Sequence, residues 1–169
     1  MATLPQAQLA YLALGDSYSI GEGVAEQGRW PMQLALGLRE AGIAIADPRI
    51  IATTGWTTDE LSAAMDAAEP LGEWDFVSLL IGVNNQYRGR DVERISNALD
   101  AYNGAAREAC AAHGVAFVDI ADVSRTRGAE PAMLAEDGLH PSALMYAEWT
   151  RLALPVAKGL LDGDGGISA

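Results

Sequence analysis

The tightest constraint on this chain is the stretch Leu9–Gly23, where six apolar residues, Leu-Ala-Tyr-Leu-Ala-Leu, run unbroken into Gly15-Asp16-Ser17. A continuous apolar run of this length predicts a strand buried on both faces, as in a parallel sheet. Open parallel sheets take their ligands in the crevice outside the carboxyl ends of the strands. Ser17 therefore stands where a nucleophile or a phosphate-binding loop would stand, and the rest of the chain has to decide between them.

The pattern that follows alternates strands with helices. Gly21 to Gly28 is glycine-rich and loop-like. Pro31 suits a first helical turn, Leu34, Leu38 and Ala41 form a stripe, and Gly42 suits a C-terminal cap. A second short strand is expected over 49–53, ending at Thr54-Gly55. Thr57 with Glu60 three residues on is a capping box ahead of Leu61, Ala64, Met65 and Ala68. Phe76 to Ile81 reads as a third strand that stops at Gly82-Val83-Asn84-Asn85. A long helix is expected next, with Ile95, Leu99, Tyr102, Ala106 and Ala109 on one face and Gly114 closing it. Val115 to Ile120 reads as a fourth strand, and Ala121 to Glu136 as irregular chain with one helical turn after Pro131. A last helix should reach Leu161, kinked or broken at Pro155. This order predicts an α/β domain with a parallel sheet and right-handed crossovers. One domain over 1–161 is expected, with a polar, glycine-rich, frayed tail over 162–169.

Composition narrows the function. The 169 residues carry 11 Lys and Arg against 23 Asp and Glu, a net charge of -12. That balance argues against nucleic acid or an anionic membrane as partner, because phosphate backbones are bound by clustered cations. Cys110 is the single cysteine, so no intramolecular disulfide can form. No basic region followed by an apolar segment opens the chain, and no apolar run approaches the ~20 residues of a membrane helix. A cytoplasmic location is the resulting expectation. Two histidines without metal-ligand spacing argue against a catalytic metal site, and no cofactor is expected.

The needs of acyl transfer account for the polar strand ends together. A serine hydroxyl is a weak nucleophile unless a neighbouring base takes its proton. His140 is the candidate base, and Asp137, in Asp137-Gly138-Leu139-His140-Pro141, the carboxylate that would fix its tautomer. A developing oxyanion needs preorganised donors. The Ser17 and Gly55 N–H groups and the Asn84 amide are the candidates. Each motif alone reads more simply as a turn or a solvated helix entry; their ordered occurrence at successive strand ends favours the functional reading.

The ordered set resembles the SGNH/GDSL hydrolase family. Gly15-Asp16-Ser17-Tyr18-Ser19 matches its first block, Thr54-Gly55-Trp56-Thr57 the second, Gly82-Val83-Asn84-Asn85 the third and Asp137-Gly138-Leu139-His140-Pro141 the last. The resemblance implies a three-layer α/β/α, flavodoxin-like fold and metal-free hydrolysis of carboxylic esters through a Ser17 acyl-enzyme. It implies His140 as base, Asp137 as its partner, and Ser17, Gly55 and Asn84 as oxyanion hole. Two departures stand out. Asn85 replaces the usual aspartate of the third block, and Gly82 to Val115 is too short for the helix, strand and helix that relatives carry there. A four-stranded sheet is therefore expected, with Val115–Ile120 beside the third strand, or with an open edge that invites a second copy of the chain.

Trp56 and Tyr87 flank the oxyanion blocks and are candidates to line the substrate pocket, or to pack. The small residues Ala52, Gly82 and Val83 near the blocks favour a short acyl group. His113 reads as a solvated cap and Cys110 as a small hydrophobe. Two rival readings stay open: a nucleotide-binding flavodoxin-like module, and a non-catalytic SGNH relative. Against the former, Gly21–Gly28 lacks Gly-x-Gly-x-x-Gly spacing and no P-loop Lys follows. Glu22 and Glu26 would also repel a phosphate.

Overall fold

The computed structural model describes residues 7–87 and 92–163. The apolar run forms β1 (Tyr11–Gly15), buried at every position. It is the centre of a three-stranded parallel sheet in the order β2-β1-β3, between β2 (Arg49–Ala52) and β3 (Phe76–Leu80). Leu14 sits in register with Ile51 on one side and Leu79 on the other.

Alternate residues of β1 feed two cores. Tyr11 and Ala13 join the larger cluster with Trp30, Leu34 and Leu38 of α2 (Trp30–Glu40) and with Met145, Tyr146 and Trp149 of α7 (Ala143–Leu161). Leu12 and Leu14 point the other way, onto Leu61 of α3 (Thr58–Ala67). Helices thus cover both faces, which makes three layers. Each fully buried Leu of this kind contributes on the order of 1.5–3 kcal/mol. The crossing of α2 and α7 is close because Gly37 has no side chain: a Cβ there would sit 3.2 Å from a Leu154 methyl. α7 carries Pro155 without ending there. The capping box at α3 is present, with the Thr57 N–H donating to Glu60 Oε2 at 2.8 Å.

Shorter elements carry the loops. α1 (Ser17–Ile20) follows β1 directly, a 3₁₀ turn spans Glu26–Gly28, and α4 (Val83–Tyr87) follows β3. α5 (Val92–Ala112) is the expected long helix, α6 (Ala121–Arg127) comes next, and a second 3₁₀ turn at Pro131–Met133 is the turn expected after Pro131.

Three expectations are corrected. Val115–Ile120 forms no strand, so the described sheet has three strands and not four. A parallel strand must be returned by a crossover that packs across the sheet. Here α5 packs chiefly against α4, and the following segment stays with α5: Arg107 pairs with Asp119 at 2.8 Å and lies 4.7 Å from the Phe117 ring centroid. β3 is consequently an edge strand, and Val77 and Leu79 are 50% and 62% exposed on it. For the same reason the described part of the α5 stripe is not buried: Leu99 is half-buried, while Tyr102, Ala106 and Ala109 face solvent. The third correction is α6, expected as irregular chain. It has little apolar periodicity to reveal it, and it docks on α7 through polar contacts, Trp149 Nε1 donating to Ser124 Oγ at 3.0 Å and Arg127 pairing with Glu148 at 2.6 Å.

Residues 1–6 and 164–169 lie outside the described residues, and with them most of the expected tail. No described helix is long and apolar enough to cross a membrane.

Candidate active site

Ser17 opens α1 immediately beyond the carboxyl end of the central strand. Asp16 caps that helix. Its carboxylate accepts the Tyr18 N–H at 3.0 Å, and its carbonyl accepts the N–H groups of Ser19 and Ile20, each at 3.0 Å. The three amides after Ser17 are thereby engaged by Asp16. The turn is tight against the sheet: a Cβ on Gly15 would lie 2.1 Å from Ser19 Oγ and 2.4 Å from the Leu80 carbonyl oxygen. Gly21, at φ +68°, ends the helix.

A cavity of about 310 Å³ opens at this point, lined by Ser17, Tyr18, Thr54, Gly55, Val83, Asn84, Leu139 and His140. The ends of β1, β2 and β3 each supply part of it, as the parallel topology dictates. Gly55 takes φ +87°, a conformation that favours glycine. Asn84 sits in the first turn of α4, where its Nδ2 donates to the Trp56 carbonyl at 2.9 Å and reaches Asp16 Oδ2 at 3.5 Å. The Trp56 carbonyl thus aims the amide, while the 3.5 Å contact to Asp16 is at the limit of a hydrogen bond, so the second amide hydrogen is only weakly held.

His140 arrives from the far end of the chain, on the loop before α7. Asp137 builds that loop: one carboxylate oxygen accepts the Leu139 and His140 N–H groups, each at 2.9 Å, and the other lies 2.5 Å from His140 Nδ1. An ionised carboxylate can only accept, so Nδ1 carries a proton, and in the neutral imidazole Nε2 has the lone pair. The His140 hydrogen bond, helped by the two amides, lowers the Asp137 carboxyl to about 2. The imidazole is half-buried, with the Tyr18 ring edge-on at 6.2 Å between centroids, and Tyr18 leans in turn on Trp149 at 5.8 Å. No direct hydrogen bond joins Ser17 and His140 here; such contacts are commonly long before substrate binds. Asp16, wholly buried, has its carboxyl raised to about 6, first by desolvation, against the opposing effect of the Tyr18 amide.

The sequence matches the model of the GDSL-like lipase/acylhydrolase family over residues 13–101 and 93–148. The chain belongs to that family. Solved structures agree in fold. An acetyl xylan esterase from Geobacillus stearothermophilus, the Axe2-W215I variant, superposes with a TM-score of 0.66 at 19% identity, over 87% of this chain and 93% of that one. LAE5, an alpha/beta hydrolase enzyme from the metagenome of Lake Arreo, Spain, gives 0.65 at 19% identity, over 92% and 97%. A member of the lipolytic G-D-S-L family from Veillonella parvula gives 0.63 at 15%, over 87% and 97%. A comparison with curated proteins found no match.

Seen as a GDSL-like acylhydrolase, the chain brings Ser17, Gly55, Asn84 and His140 to one cavity, with Asp137 behind the histidine. Trp56 is placed differently from the expectation of a pocket wall. Its ring packs beside Leu12, Leu14 and Leu61, and it serves the site through its backbone carbonyl. Tyr87 closes α4, but its side chain lies outside the described residues. Asn85, the departure from the family pattern, secures the start of α3: it accepts the Thr58 N–H at 3.1 Å and donates to Thr58 Oγ1 at 3.2 Å. Sequence reasoning missed Asp16 as the second support of Asn84; a carboxylate at the tip of a fully apolar strand was the available signal. Tyr18, Thr54 and Leu139 were also missed as walls, since each belongs to a block noticed for another residue. Among the described residues no cluster of His, Cys, Asp and Glu could hold a metal ion.

Proposed function

We propose that this GDSL-like acylhydrolase is a serine esterase that cleaves short-chain carboxylic esters through a Ser17 acyl-enzyme. The observation that carries the reading is the single cavity shared by Ser17, Gly55, Asn84 and His140, with Asp137 orienting the imidazole. Nε2 of His140 takes the Ser17 proton as Oγ attacks the ester carbonyl, and Asp137 stabilises the imidazolium that forms. The N–H groups of Ser17 and Gly55 and the Asn84 amide receive the oxyanion. The imidazolium then protonates the leaving alcohol. Water, deprotonated by the same nitrogen, releases the acyl group and regenerates Ser17. The short-acyl preference rests on size, because about 310 Å³ is at the low end of ligand pockets, and Tyr18, Val83 and Leu139 close its walls.

The decisive experiment is turnover of a series of 4-nitrophenyl esters by the native protein and by Ser17→Ala and His140→Ala. Both variants should lose essentially all turnover, and native kcat/KM should fall as the acyl chain lengthens. Unchanged turnover in both variants overturns the esterase reading. A fluorophosphonate that labels the native protein and not Ser17→Ala separates an active enzyme from a non-catalytic relative.

A further inference from the structure

A second cavity, of about 450 Å³, is lined by the residues that follow the Ser17 turn, Ile20, Gly21, Glu22, Gly23, Val24, Ala25 and Arg29. The two cavities share a partition. Glu22 lines the second, Thr54 lines the first, and the Thr54 hydroxyl donates to the Glu22 carboxylate. The backbone joins them too, since the Ser17 carbonyl accepts the Glu22 N–H at 3.0 Å.

Arg29 is the unusual member of this wall. Its aliphatic stem lies on Gly21, close enough that a Cβ there would be 2.5 Å from Arg29 Cγ. Its Nε is buried without a hydrogen-bond partner. Every other described cationic side chain is engaged: Arg39 with Asp47, Arg49 over Trp74, Arg107 with Asp119, Arg125 with Asp100, Arg127 and Arg151 with Glu148, and Lys158 with Asp162. The chain has a net charge of -12, and yet among the described residues this Nε has no hydrogen-bond partner. Its neighbour Glu22 is turned to Thr54 instead.

From this juxtaposition, and resting on the esterase reading above, we propose that Arg29 is a specificity-determining residue that receives a carboxylate carried by the ester substrate. A guanidinium forks onto a carboxylate with two parallel N–H bonds, a stronger and more directional contact than neutral hydrogen bonds. One negative charge suits the site better than two, because Glu22 and the nearby Glu26 oppose a dianionic phosphate.

The test uses matched ester pairs that place the carboxylate on either side of the scissile bond. 4-Acetoxybenzoate is compared with its methyl ester, and mono-4-nitrophenyl adipate with 4-nitrophenyl hexanoate. In Arg29→Gln, KM for at least one carboxylate-bearing ester should rise about tenfold or more with kcat little changed, while its neutral partner moves less than about twofold. Arg29→Lys should recover part of the loss. Equal effects on both members of each pair, or no effect on either, overturn the proposal. A separate arm titrates benzoate, adipate and inorganic phosphate into Ser17→Ala by calorimetry, with and without Arg29→Gln. Arg29-dependent carboxylate binding without turnover of any ester by the native protein leaves the site standing and removes the esterase reading. Absence of carboxylate binding, or phosphate binding as tight as carboxylate, removes the site.

Discussion

Oδ2 of Asp137 lies 2.5 Å from Nδ1 of His140, while the same carboxylate's other oxygen ties down the Leu139 and His140 amides. One side chain thus shapes the loop and holds the proton on Nδ1 of the imidazole. Asp137→Asn keeps the size but offers an amide where Nδ1–H needs an acceptor, and kcat should fall on the order of 10²–10⁴-fold. Steady-state kinetics on a neutral aryl ester measures this.

The same pair sets an acid limb of stability. The Asp137 carboxyl is lowered to about 2, first by His140, so its native pKa is below the unfolded value. The associated stabilisation is complete above the ordinary carboxylate range and disappears as pH falls from there toward about 2. The difference in Tm between native protein and Asp137→Asn should therefore narrow across that window, as thermal melts at successive pH values would show.

Asp16 works in the opposite sense. Burial raises its carboxyl to about 6, so between the unfolded carboxylate value and about 6 the native state holds the extra proton. Stability from this group consequently falls as pH rises through the window. Asp16→Asn removes the titration, so urea midpoints of the variant should lose that slope and gain on the native protein above about pH 6. Turnover should fall in the same variant if its new amide faces Asn84 Nδ2, because two donors then meet where Asp16 Oδ2 now lies at 3.5 Å.

Asn84 donates to Trp56 and reaches Asp16 from one nitrogen, an arrangement that holds it ready at the cavity wall. Asn84→Ala should lower kcat about 10²–10³-fold with little change in KM, the pattern of a donor used mainly in the transition state. A parallel loss in KM alone would assign Asn84 to ground-state binding instead.

Two glycines at the site should respond differently to alanine. Gly15→Ala drives a methyl into Ser19 Oγ and the Leu80 carbonyl, and overpacking of this kind costs about 1–3 kcal/mol, at the upper end here because one obstacle is backbone. Gly55→Ala meets no atom within 4 Å, so only the strain of φ +87° remains, about 1–2 kcal/mol. Thermal unfolding should show the larger loss for Gly15→Ala.

Much of this architecture was legible in the residues. The unbroken run before Gly15 announced a strand buried on both faces, and it is the sheet's centre. Thr57 and Glu60 marked a helix start, since capping depends on residues three apart. The ordered blocks around Ser17, Gly55, Asn84 and His140 named residues that line one cavity, because strand ends in a parallel sheet converge whatever the details of packing. Pattern was less informative where elements meet late. Val115–Ile120 has the composition of a strand, but composition cannot say whether a crossover lays it beside β3, and α5 takes it elsewhere.

The sequence by itself determined the parallel α/β class, the central strand and the residue types of the candidate site, because these follow from local periodicity and from the order of short polar blocks at strand ends. Only the tertiary structure decided which groups support them. Asp16 and the Trp56 carbonyl meet Asn84, and among the described residues Arg29 Nε is buried without a hydrogen-bond partner. Those relationships join residues distant along the chain, through burial and hydrogen-bond geometry that exist only once the layers have packed.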